Sequence, residues 1–460
     1  MALRTIPKLL LAIPAAAAFY LFVVWLLSRK LGIAESKSGP EKCSWTGEDA
    51  LRRAQFCKNS HLSELFRNVC SCKNPMAITY ENPVAPFHAL ENIPVLIIAA
   101  DRPKYLLRCI YHLLLAHGVN KENIVVSIDG SYSETEAVAT LFGIRSFQSK
   151  SEGTKSARVS RHYRRALKHV MQELYPRAPS LIIIEDDLQV APDFFYYFEH
   201  LLPMLEDDDI YCISAWNDHG MEHAVHSPEA VYRVDGMPGL GWATSRKIVD
   251  ELLPKWLPKE RFTDWDIWMR QPAQRRGRQC LIPDISRTFH FGEDGLNVNS
   301  KMQGIYFRNH AIFKEDQKVG KIQYRSLEKL SSSAYDDNLK VWLNTSKVIL
   351  PSDFECAPGL KKVPFFSILS NSQDKLVSFI LYFKQDSKND LDDYLRLCWC
   401  LNIWDLDSRA NYKGVTRIHL QEHQVFLVGY PYSEFSNFAK PNEILSISQE
   451  IPAGNRRYKH

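Results

Sequence analysis

The sequence lacks the short motifs by which many nucleotide-binding and zinc-binding proteins are identified. It contains no Walker loop and no G-x-G-x-x-G fingerprint, which excludes a P-loop enzyme and a dinucleotide-binding fold of the usual kind. The close pairs Cys70–Cys72 and Cys398–Cys400 do not have the spacing of zinc ligands, so no structural zinc is expected. An internal repeat is also absent.

An excess of charge of either sign is missing as well. The formal net charge is +4 over 460 residues, and basic residues alternate with acidic ones, so a nucleic acid is not the expected partner. A hydrophobic content of 45% with 24% charged residues is ordinary for a globular protein. The length predicts two to three structural units.

One long uncharged run does occur, at residues 9–27, between Lys8 and Arg29. A helix needs roughly 20 apolar residues to span a bilayer, so this run predicts a single transmembrane segment behind a short cytoplasmic tail, residues 1–8. A cleaved signal peptide is the alternative, but its apolar core is usually shorter, and Arg29 and Lys30 make a poor cleavage site. An uncleaved signal-anchor is therefore the favoured prediction.

The cysteines indicate where the rest of the chain resides. All ten follow the uncharged run, and an even number suits an oxidising lumen. Asn344 begins a possible N-glycosylation sequence, which only a luminal domain could use. We therefore expect a type II arrangement with a luminal stem at residues 28–90. Four cysteines between residues 43 and 72 could staple this stem, in a pairing that the sequence does not determine.

Beyond the stem, buried-strand runs alternate with helical patterns. Residues 93–100, 124–128 and 181–184 are the first three of these runs, and amphipathic patterns separate them. This alternation predicts βαβ units and an α/β fold with a mostly parallel sheet. The carboxyl ends of such strands lie together at the ligand-binding edge of the sheet.

Polar residues follow each of these three strands. Arg102 follows the first, Asp129 ends the second, and the third runs into Glu185, Asp186 and Asp187. Three adjacent acids repel one another and are costly to desolvate unless a cation meets them, typically a divalent metal that carries a phosphorylated ligand. An arginine can contact phosphate or base, and an acid can fix a uracil or ribose, so the set matches a nucleotide-sugar site. A solvated acidic loop is the alternative.

Longer motifs resemble those of a known family. Eight of them occur in order: DRPKYL, ARVSRHYRRAL, IEDDLQVAPDFFYYF, YCISAWNDHG, MPGLGW, DWDIWMR, RRGRQCLIPDISRTFHFG and IWDLDSRANYKG. Over about residues 70–430 the chain resembles the β-1,2-N-acetylglucosaminyltransferases of glycosyltransferase family 13. It is most similar to the members that act on protein O-linked mannose, and also similar to N-acetylglucosaminyltransferase I.

The resemblance implies a fold and an activity. The fold is GT-A, a Rossmann-like and mostly parallel sheet with a smaller C-terminal subdomain. The activity is an inverting transfer of GlcNAc from UDP-GlcNAc to O2 of an α-linked mannose on a glycoprotein, with Mn²⁺, at the Golgi membrane. The implied domains are a catalytic domain at 91–320, a C-terminal subdomain at 321–440 and a polar tail at 441–460. A disulfide between Cys212 and Cys280 is implied as well.

The resemblance also assigns donor contacts residue by residue. Arg102 and Asp129 match contacts to UDP, and His162 matches another donor contact. Leu240 and the loop of Gly295 match parts that close over the donor.

The remaining assignments concern the metal and the base. Asp187 matches the direct manganese ligand, and Glu185 and Asp186 then support the metal or contact the donor sugar. Asp266 matches the catalytic base, which takes the proton from the mannose hydroxyl as that oxygen attacks the anomeric carbon.

Each of these assignments has a structural alternative. Asp187 could be a capping acid, and either Asp264 or Asp266 could be a helix N-cap. His162 lies on an amphipathic helix among arginines and could belong to a solvated face.

Two departures from the N-glycan enzyme bear on the acceptor. Ile267 stands where that enzyme has a second acid, and Asn297 stands where it has serine. Both resemble the O-mannose members, although the short stem leaves no room for the carbohydrate-binding stem domain of that enzyme. O-linked mannose is the favoured acceptor and the N-glycan core mannose the alternative. A lectin-like pseudoenzyme is disfavoured because Asp187 and Asp266 are both present.

Overall fold

The computed structural model describes residues 43, 45–47, 49–80, 87–257, 264–324, 327–354, 356 and 377–447. The predicted cytoplasmic tail, the membrane segment at 9–27 and the last residues, 448–460, lie outside this part of the chain. Within the described ranges, no helix is long and apolar enough to cross a membrane.

The strands are as follows: β1 Val95–Ala99, β2 Ile124–Asp129, β3 Arg145–Ser149, β4 Ser180–Glu185, β5 Leu188–Val190, β6 Ile210–Ser214, β7 Val231–Val234, β8 Trp242–Ser245, β9 Gln279–Pro283, β10 Thr288–His290, β11 Lys347–Val348, β12 Phe379–Gln385, β13 Val415–Leu420, β14 His423–Pro431 and β15 Ile444–Leu445.

The α-helices are as follows: α1 Asp49–Cys57, α2 Ser60–Leu65, α3 Pro103–Leu115, α4 Ser133–Phe142, α5 Lys155–Lys168, α6 Phe194–Leu201, α7 Arg246–Leu252, α8 Trp265–Met269, α9 Pro272–Arg275, α10 Ser300–Met302, α11 Ser332–Thr345 and α12 Asp392–Cys400. Helix α5 continues as a π-helical turn at His169–Leu174, and α10 continues as another at Gln303–Phe307.

The larger sheet has eight strands in the order β3-β2-β1-β4-β8-β6-β9-β7. Strands β1 to β4 are parallel to one another, and β6 is parallel to β9. Strand β8 runs antiparallel between β4 and β6, and β7 runs antiparallel beside β9. The residues of β1 and β2 are all buried, as expected for parallel strands covered on both faces. The predicted α/β fold with a mostly parallel, Rossmann-like sheet is therefore confirmed.

The register of the sheet places the three predicted strand ends side by side. In β1, Ala99 lies opposite Ile128 of β2, and Ile98 lies opposite Glu185 of β4. Arg102 and Asp129 therefore lie at one edge of the sheet with the acids that follow β4. The helix after β2 ends at Gly143, which has the left-handed conformation (φ 66°) that a helix terminus often requires.

The antiparallel strand β8 was not anticipated from the sequence, which indicated only a glycine-bounded turn there. The strand pairs Trp242 with Ile183 of β4, and with Ser214 of β6 on its other side. It is held by these long-range neighbours, because four residues after a glycine carry little strand signal of their own.

A second sheet has the order β11-β12-β14-β13, with β15 beside β12. The sequence indicated strands near β12 and β14 and a helix near α12, but it missed α11 and β13. The polar tail expected from Pro441 is wrong for its first residues, because Ile444–Leu445 pairs with Tyr382 and Phe383 of β12.

Disulfides occur in the N-terminal segment, within the larger sheet and in the C-terminal part of the chain. Cys43–Cys72 and Cys57–Cys70 staple α1 and α2, and the side chains of Phe56, Leu62 and Phe66 from this segment join the main hydrophobic core. The implied bridge Cys212–Cys280 is confirmed and links β6 to β9. A fourth disulfide joins Cys356 to Cys400.

Candidate active site

Arg102 reaches from the edge of the sheet to the acids that follow β4. It precedes Pro103, whose fixed φ suits the first position of α3. Its Nη2 donates to Asp186, lies 3.0 Å from Asp187 Oδ2, and its Nη1 donates to the backbone oxygen of Asp294 at 3.4 Å. The structure therefore brings together the first and third strand ends that the sequence identified.

Asp186 and Asp187 are buried and incompletely partnered. In the part of the chain that the structure describes, Asp186 Oδ2 and Asp187 Oδ1 have no hydrogen-bond partner. Burial raises the pKa of Asp186 to about 8, opposed by Arg102. Burial would also raise the pKa of Asp187, but His290 and Arg102 outweigh it and hold that pKa below its ordinary value. Buried acceptors without partners are rare in proteins and call for an explanation such as a bound ion.

Glu185 differs from the two acids that follow it. It is partly exposed, and its Oε1 accepts a hydrogen bond from the hydroxyl of Tyr163 at 2.6 Å. Burial and the charge of Asp187 raise its pKa to about 7. Of the three acids, Glu185 is the most exposed.

A loop after β10 covers these acids. His290 Nε2 lies 3.6 Å from Asp187 Oδ2, and His290 Nδ1 lies 3.1 Å from the side-chain oxygen of Gln303. A Cβ at Gly292 would lie 2.9 Å from the Asp187 Cβ, so only glycine fits there without displacement. The predicted Gly295 lies further along this loop, where its N–H donates to Val298 at 3.0 Å.

Asp129 lies at the same edge but is fully engaged. Its Oδ2 accepts from Arg158 Nε at 2.6 Å, and its Oδ1 accepts from Arg165 Nη2 at 3.1 Å. His162 is buried at 2% exposure, with Nε2 2.7 Å from Ser127 Oγ, so a solvated face is the wrong interpretation of this histidine. Burial lowers the pKa of His162 to about 4 and keeps it neutral.

Asp266 lies in the first turn of α8. Its Oδ2 accepts from Arg270 Nη2 at 2.5 Å, its Oδ1 accepts from the N–H of Ile267 at 2.8 Å, and 28% of its side chain is exposed. Asp264, not Asp266, occupies the N-cap position, so Asp266 is not tied up as a helix cap. After burial and Glu185, the charges of Asp266 and Asp187 help to raise the pKa of Tyr163, which places both acids near that hydroxyl.

Leu240 has a strained backbone conformation. It has a φ of 40° between two glycines, Gly239 and Gly241, and its carbonyl accepts from Thr288 Oγ1 at 2.6 Å. A positive φ costs a branched residue of order 1–3 kcal/mol and is typically found at functional sites. The predicted role for Leu240 in closing over the donor stays a prediction.

A second charged group, which the sequence does not predict, is centred on Arg409. Arg409 Nη2 donates to Asp218 Oδ1 at 2.9 Å, its Nε lies 3.0 Å from Asp407 Oδ2, and its guanidinium lies 4.9 Å from the centre of the Trp404 ring. Burial raises the pKa of Asp218 to about 6, Arg409 opposing it. The motif IWDLDSR signalled this segment, but its spatial neighbours lie far away in the sequence.

The carboxylates of Asp186 and Asp187 fit a metal ion that is also coordinated by a phosphorylated molecule. Among the described residues, no group of three or more His, Cys, Asp or Glu could hold a metal ion by itself. Hard divalent ions often bind through one or two carboxylates and complete their coordination with phosphate oxygens and water. The oxygens of Asp186 and Asp187 that lack partners satisfy this requirement.

Comparison with known families identifies one match over most of the chain. Residues 76–439 match the model of the GNT-I family. An Arabidopsis thaliana protein described as alpha-1,3-mannosyl-glycoprotein 2-beta-N-acetylglucosaminyltransferase is 34% identical over 218 residues, covering 44% of this chain and 48% of the relative. The chain thus spans about half the length of the curated relative that it matches.

Solved structures give weaker likenesses. TarS from S. aureus in complex with UDP-GlcNAc is 11% identical, covers 44% of this chain and 60% of its own, and has a TM-score of 0.32. A mannosyltransferase from Pyrobaculum calidifontis in complex with GDP-Man and Mn²⁺ is 12% identical, with coverages of 52% and 69% and a TM-score of 0.29. These scores are too low to support a conclusion.

Proposed function

The chain belongs to the GNT-I family, and on this premise we propose that it is an inverting β-1,2-N-acetylglucosaminyltransferase of the GT-A type. Membership confirms the predicted class, a glycosyltransferase that uses a nucleotide sugar. The proposal is that it transfers GlcNAc from UDP-GlcNAc to O2 of an α-linked mannose on a glycoprotein.

One observation supports the proposal most strongly. Asp186 Oδ2 and Asp187 Oδ1 are buried at the carboxyl edge of the sheet, beside Arg102, and have no partner in the part of the chain that the structure describes. That edge is where open α/β sheets bind their ligands. If these acids belonged to a solvated loop, they would be exposed and not buried. If they were a purely structural pair, both oxygens of each acid would be expected to have hydrogen-bond partners.

The proposed donor site follows from these residues. Asp187, with Asp186 behind it, would hold Mn²⁺, which when bound neutralises the diphosphate of the donor. Arg102 is placed to contact phosphate, because its guanidinium already bridges the acids and the loop of Asp294. Glu185 presents its remaining oxygen to the donor sugar. Asp129 would contribute to UDP binding through Arg158 and Arg165, whose guanidinium groups it holds in place.

Asp266 is the proposed base. It is partly exposed, so it can reach an acceptor, and Arg270 fixes its orientation through Oδ2. It would take the proton from the mannose hydroxyl, which needs a carboxylate within hydrogen-bond reach of that oxygen. A single direct displacement inverts the configuration at the anomeric carbon. It needs only this one base, because no second carboxylate has to form a covalent intermediate.

The acceptor side is proposed to lie along Asp218, Arg409 and Trp404. Charged groups that also pack against an indole ring suit a sugar, which offers hydroxyls along its edge and an apolar face. Backbone contacts connect this network to Asp266. The Arg409 carbonyl accepts from the N–H of Gly236 at 3.1 Å, and the carbonyl of the next residue, Met237, accepts from Arg270, the partner of Asp266.

The mannose of an N-glycan is the first acceptor that we propose, because the Arabidopsis relative supports it better than the O-linked mannose favoured by the sequence. O-linked mannose is the second candidate, and one observation favours it. Ile267, next to the base, is 48% exposed where an acid would face the acceptor in the N-glycan enzyme. An exposed aliphatic side chain there suits a peptide better than a second sugar.

A transfer assay would test the proposal. Purified protein is incubated with tritiated UDP-GlcNAc and Mn²⁺, and either a Man5 N-glycan or an α-mannosyl-threonine peptide. We expect transfer to one of them, loss of about 10²–10⁴-fold in kcat for Asp266→Asn, and a β-1,2 linkage by NMR. Transfer to the peptide alone would replace the first acceptor by the second. UDP binding without transfer to either would contradict the proposal and favour a pseudoenzyme.

The compartment is part of the proposal. We place the enzyme at the Golgi membrane, with the predicted anchor at residues 9–27 and the catalytic part in the lumen. Eight of the ten cysteines form disulfides, which supports an oxidising compartment.

A further inference from the structure

We infer that Tyr163 is a positioning residue that holds the free oxygen of Glu185 toward the donor sugar. The inference depends on the proposed function, because it takes the site around Glu185 to bind UDP-GlcNAc. It concerns a residue of helix α5 that the sequence analysis assigned no role.

The hydroxyl of Tyr163 makes one contact that carries the inference. It donates to Glu185 Oε1 at 2.6 Å, and the tyrosine is 1% exposed. A short hydrogen bond to a carboxylate is stronger than one between neutral groups, so it restricts the rotation of the Glu185 carboxylate. This hydrogen bond occupies only one of the two carboxylate oxygens, and Glu185 is the partly exposed member of the three acids.

The ring of Tyr163 is itself fixed from the other side. It stacks on Trp265 with centroids 4.0 Å apart and an interplanar angle of 21°, and Trp265 in turn stacks on Trp242 at 5.8 Å and 14°. Trp242 pairs with Ile183 of β4, two residues before Glu185. The contacts therefore form a closed ring that begins and ends on β4, so the hydroxyl has little freedom to move away from Glu185.

The hydroxyl of Tyr163 distinguishes a positioning role for this residue from a packing role. A phenylalanine would stack on Trp265 as well as a tyrosine does, so packing alone does not require the hydroxyl. The hydroxyl meets a carboxylate whose neighbours are the proposed metal residues, and the indole beside it immediately precedes the proposed base, Asp266. The contact with Glu185 therefore gives the Tyr163 hydroxyl a role that packing does not explain.

The test compares Tyr163→Phe with Tyr197→Phe. Tyr197 is 0% exposed, and its hydroxyl donates to the Ser214 carbonyl at 2.7 Å, so the control deletes an equally buried hydroxyl away from the acids. Binding of UDP and of UDP-GlcNAc, each with Mn²⁺, is measured by titration calorimetry, and kcat and KM are measured with the acceptor that the wild type uses.

We expect Tyr163→Phe to weaken UDP-GlcNAc binding about tenfold while UDP binding stays within about twofold. The change removes the hydrogen bond that orients Glu185, and Glu185 is proposed to contact the donor sugar, which UDP lacks. Tyr197→Phe should change neither affinity. Equal losses for UDP and UDP-GlcNAc, or equal losses in both variants, would overturn the inference and leave Tyr163 a packing residue.

A double variant provides a second test. If Tyr163 acts through Glu185, adding Tyr163→Phe to Glu185→Ala should cost no further donor affinity, whereas independent effects would multiply and contradict the inference. Near-ultraviolet circular dichroism of the stacked aromatics reports whether each variant is folded. A wild-type protein that binds no UDP-GlcNAc would instead contradict the proposed function.

Discussion

Asp129 at the end of β2 and Asp187 just beyond β4 lie at the same edge of one sheet and are both buried, yet their surroundings differ. At the end of β2, two arginines meet one carboxylate, and each oxygen of Asp129 accepts a hydrogen bond. Beyond β4, Arg102 pairs with both Asp186 and Asp187, His290 lies beside Asp187, and each of the two acids still keeps an oxygen without a partner among the described residues.

The difference separates a completed site from one that needs a ligand. The β2 end is saturated by the chain's own groups, so its ion pairs chiefly hold helix α5 against the sheet. At the β4 end, one oxygen of Asp186 and one of Asp187 lack partners among the described residues, and burial raises the pKa values of Asp186 and Glu185, so these acids cost stability unless a cation binds. Substitutions at the two ends should therefore affect stability and activity in opposite proportions.

The largest expected effect is on activity, from Asp187→Asn. We expect kcat/KM for GlcNAc transfer to fall about a thousandfold, because an amide is a poor ligand for a hard divalent ion. The unfolding free energy without metal should change by less than about 1 kcal/mol, since the lost pairing with Arg102 and His290 is offset by relief of repulsion from Glu185 and Asp186. Transfer assays and urea unfolding measure the two quantities.

A large stability loss in Asp187→Asn would contradict the comparison, because it would show that the β4 end is held by its own pairs. Addition of Mn²⁺ and UDP provides the internal control. It should raise the unfolding midpoint of the wild type and leave that of the variant unchanged, since only a protein that binds the ligand is stabilised by it.

The next effect is on stability, from Asp129→Asn. This change leaves Arg158 and Arg165 facing a neutral amide, and breaking a buried ion pair typically costs several kcal/mol. We expect about 3 kcal/mol of destabilisation in urea unfolding at pH 7. Asp208→Asn is the matched control: its pair with Lys247 lies at the surface, where ion pairs contribute little, so its loss should be far smaller than that of Asp129→Asn. Equal costs for the two variants would contradict the comparison.

The sequence allows much of this edge to be predicted. Strands β1, β2 and β4 are continuous buried runs, and helix α4 has the predicted bounds, Ser133–Phe142, because local pattern and burial agree there. The polar residues at the strand ends follow from topology alone, since parallel strands bring their carboxyl ends to one edge.

What could not be predicted depends on contacts between distant residues. Nothing in the sequence shows that Arg158 and Arg165 saturate Asp129, or that Arg409 reaches Asp218 from 191 residues away. The sequence makes His162 look solvated because arginines surround it in the helix. Arg158 and Arg165 instead turn to Asp129, and the imidazole is buried against Ser127. Helix periodicity predicts the face of the helix on which a residue lies, but not the distant residue that its side chain contacts.

The smallest of these effects concerns pH, and it again distinguishes the β2 end. Burial lowers the pKa of His162 to about 4 from an ordinary value of 6.5, so between these values the unfolded chain binds more protons than the folded one. The stabilisation from keeping His162 neutral is complete above about pH 6.5 and is lost as the pH falls toward 4. Between pH 7 and pH 5 the loss amounts to about 2 kcal/mol.

His162→Gln removes this titration, so its stability should fall less steeply than that of the wild type from pH 7 to pH 5 in urea unfolding. The other buried histidines, such as His219 and His310, titrate in both proteins and cancel in the difference. His88→Gln serves as the control, because 96% of that side chain is exposed and the variant should follow the wild-type curve. Parallel curves for His162→Gln and the wild type would show that the imidazole is not held neutral, and that the β2 end is less completely sealed from solvent than its contacts indicate.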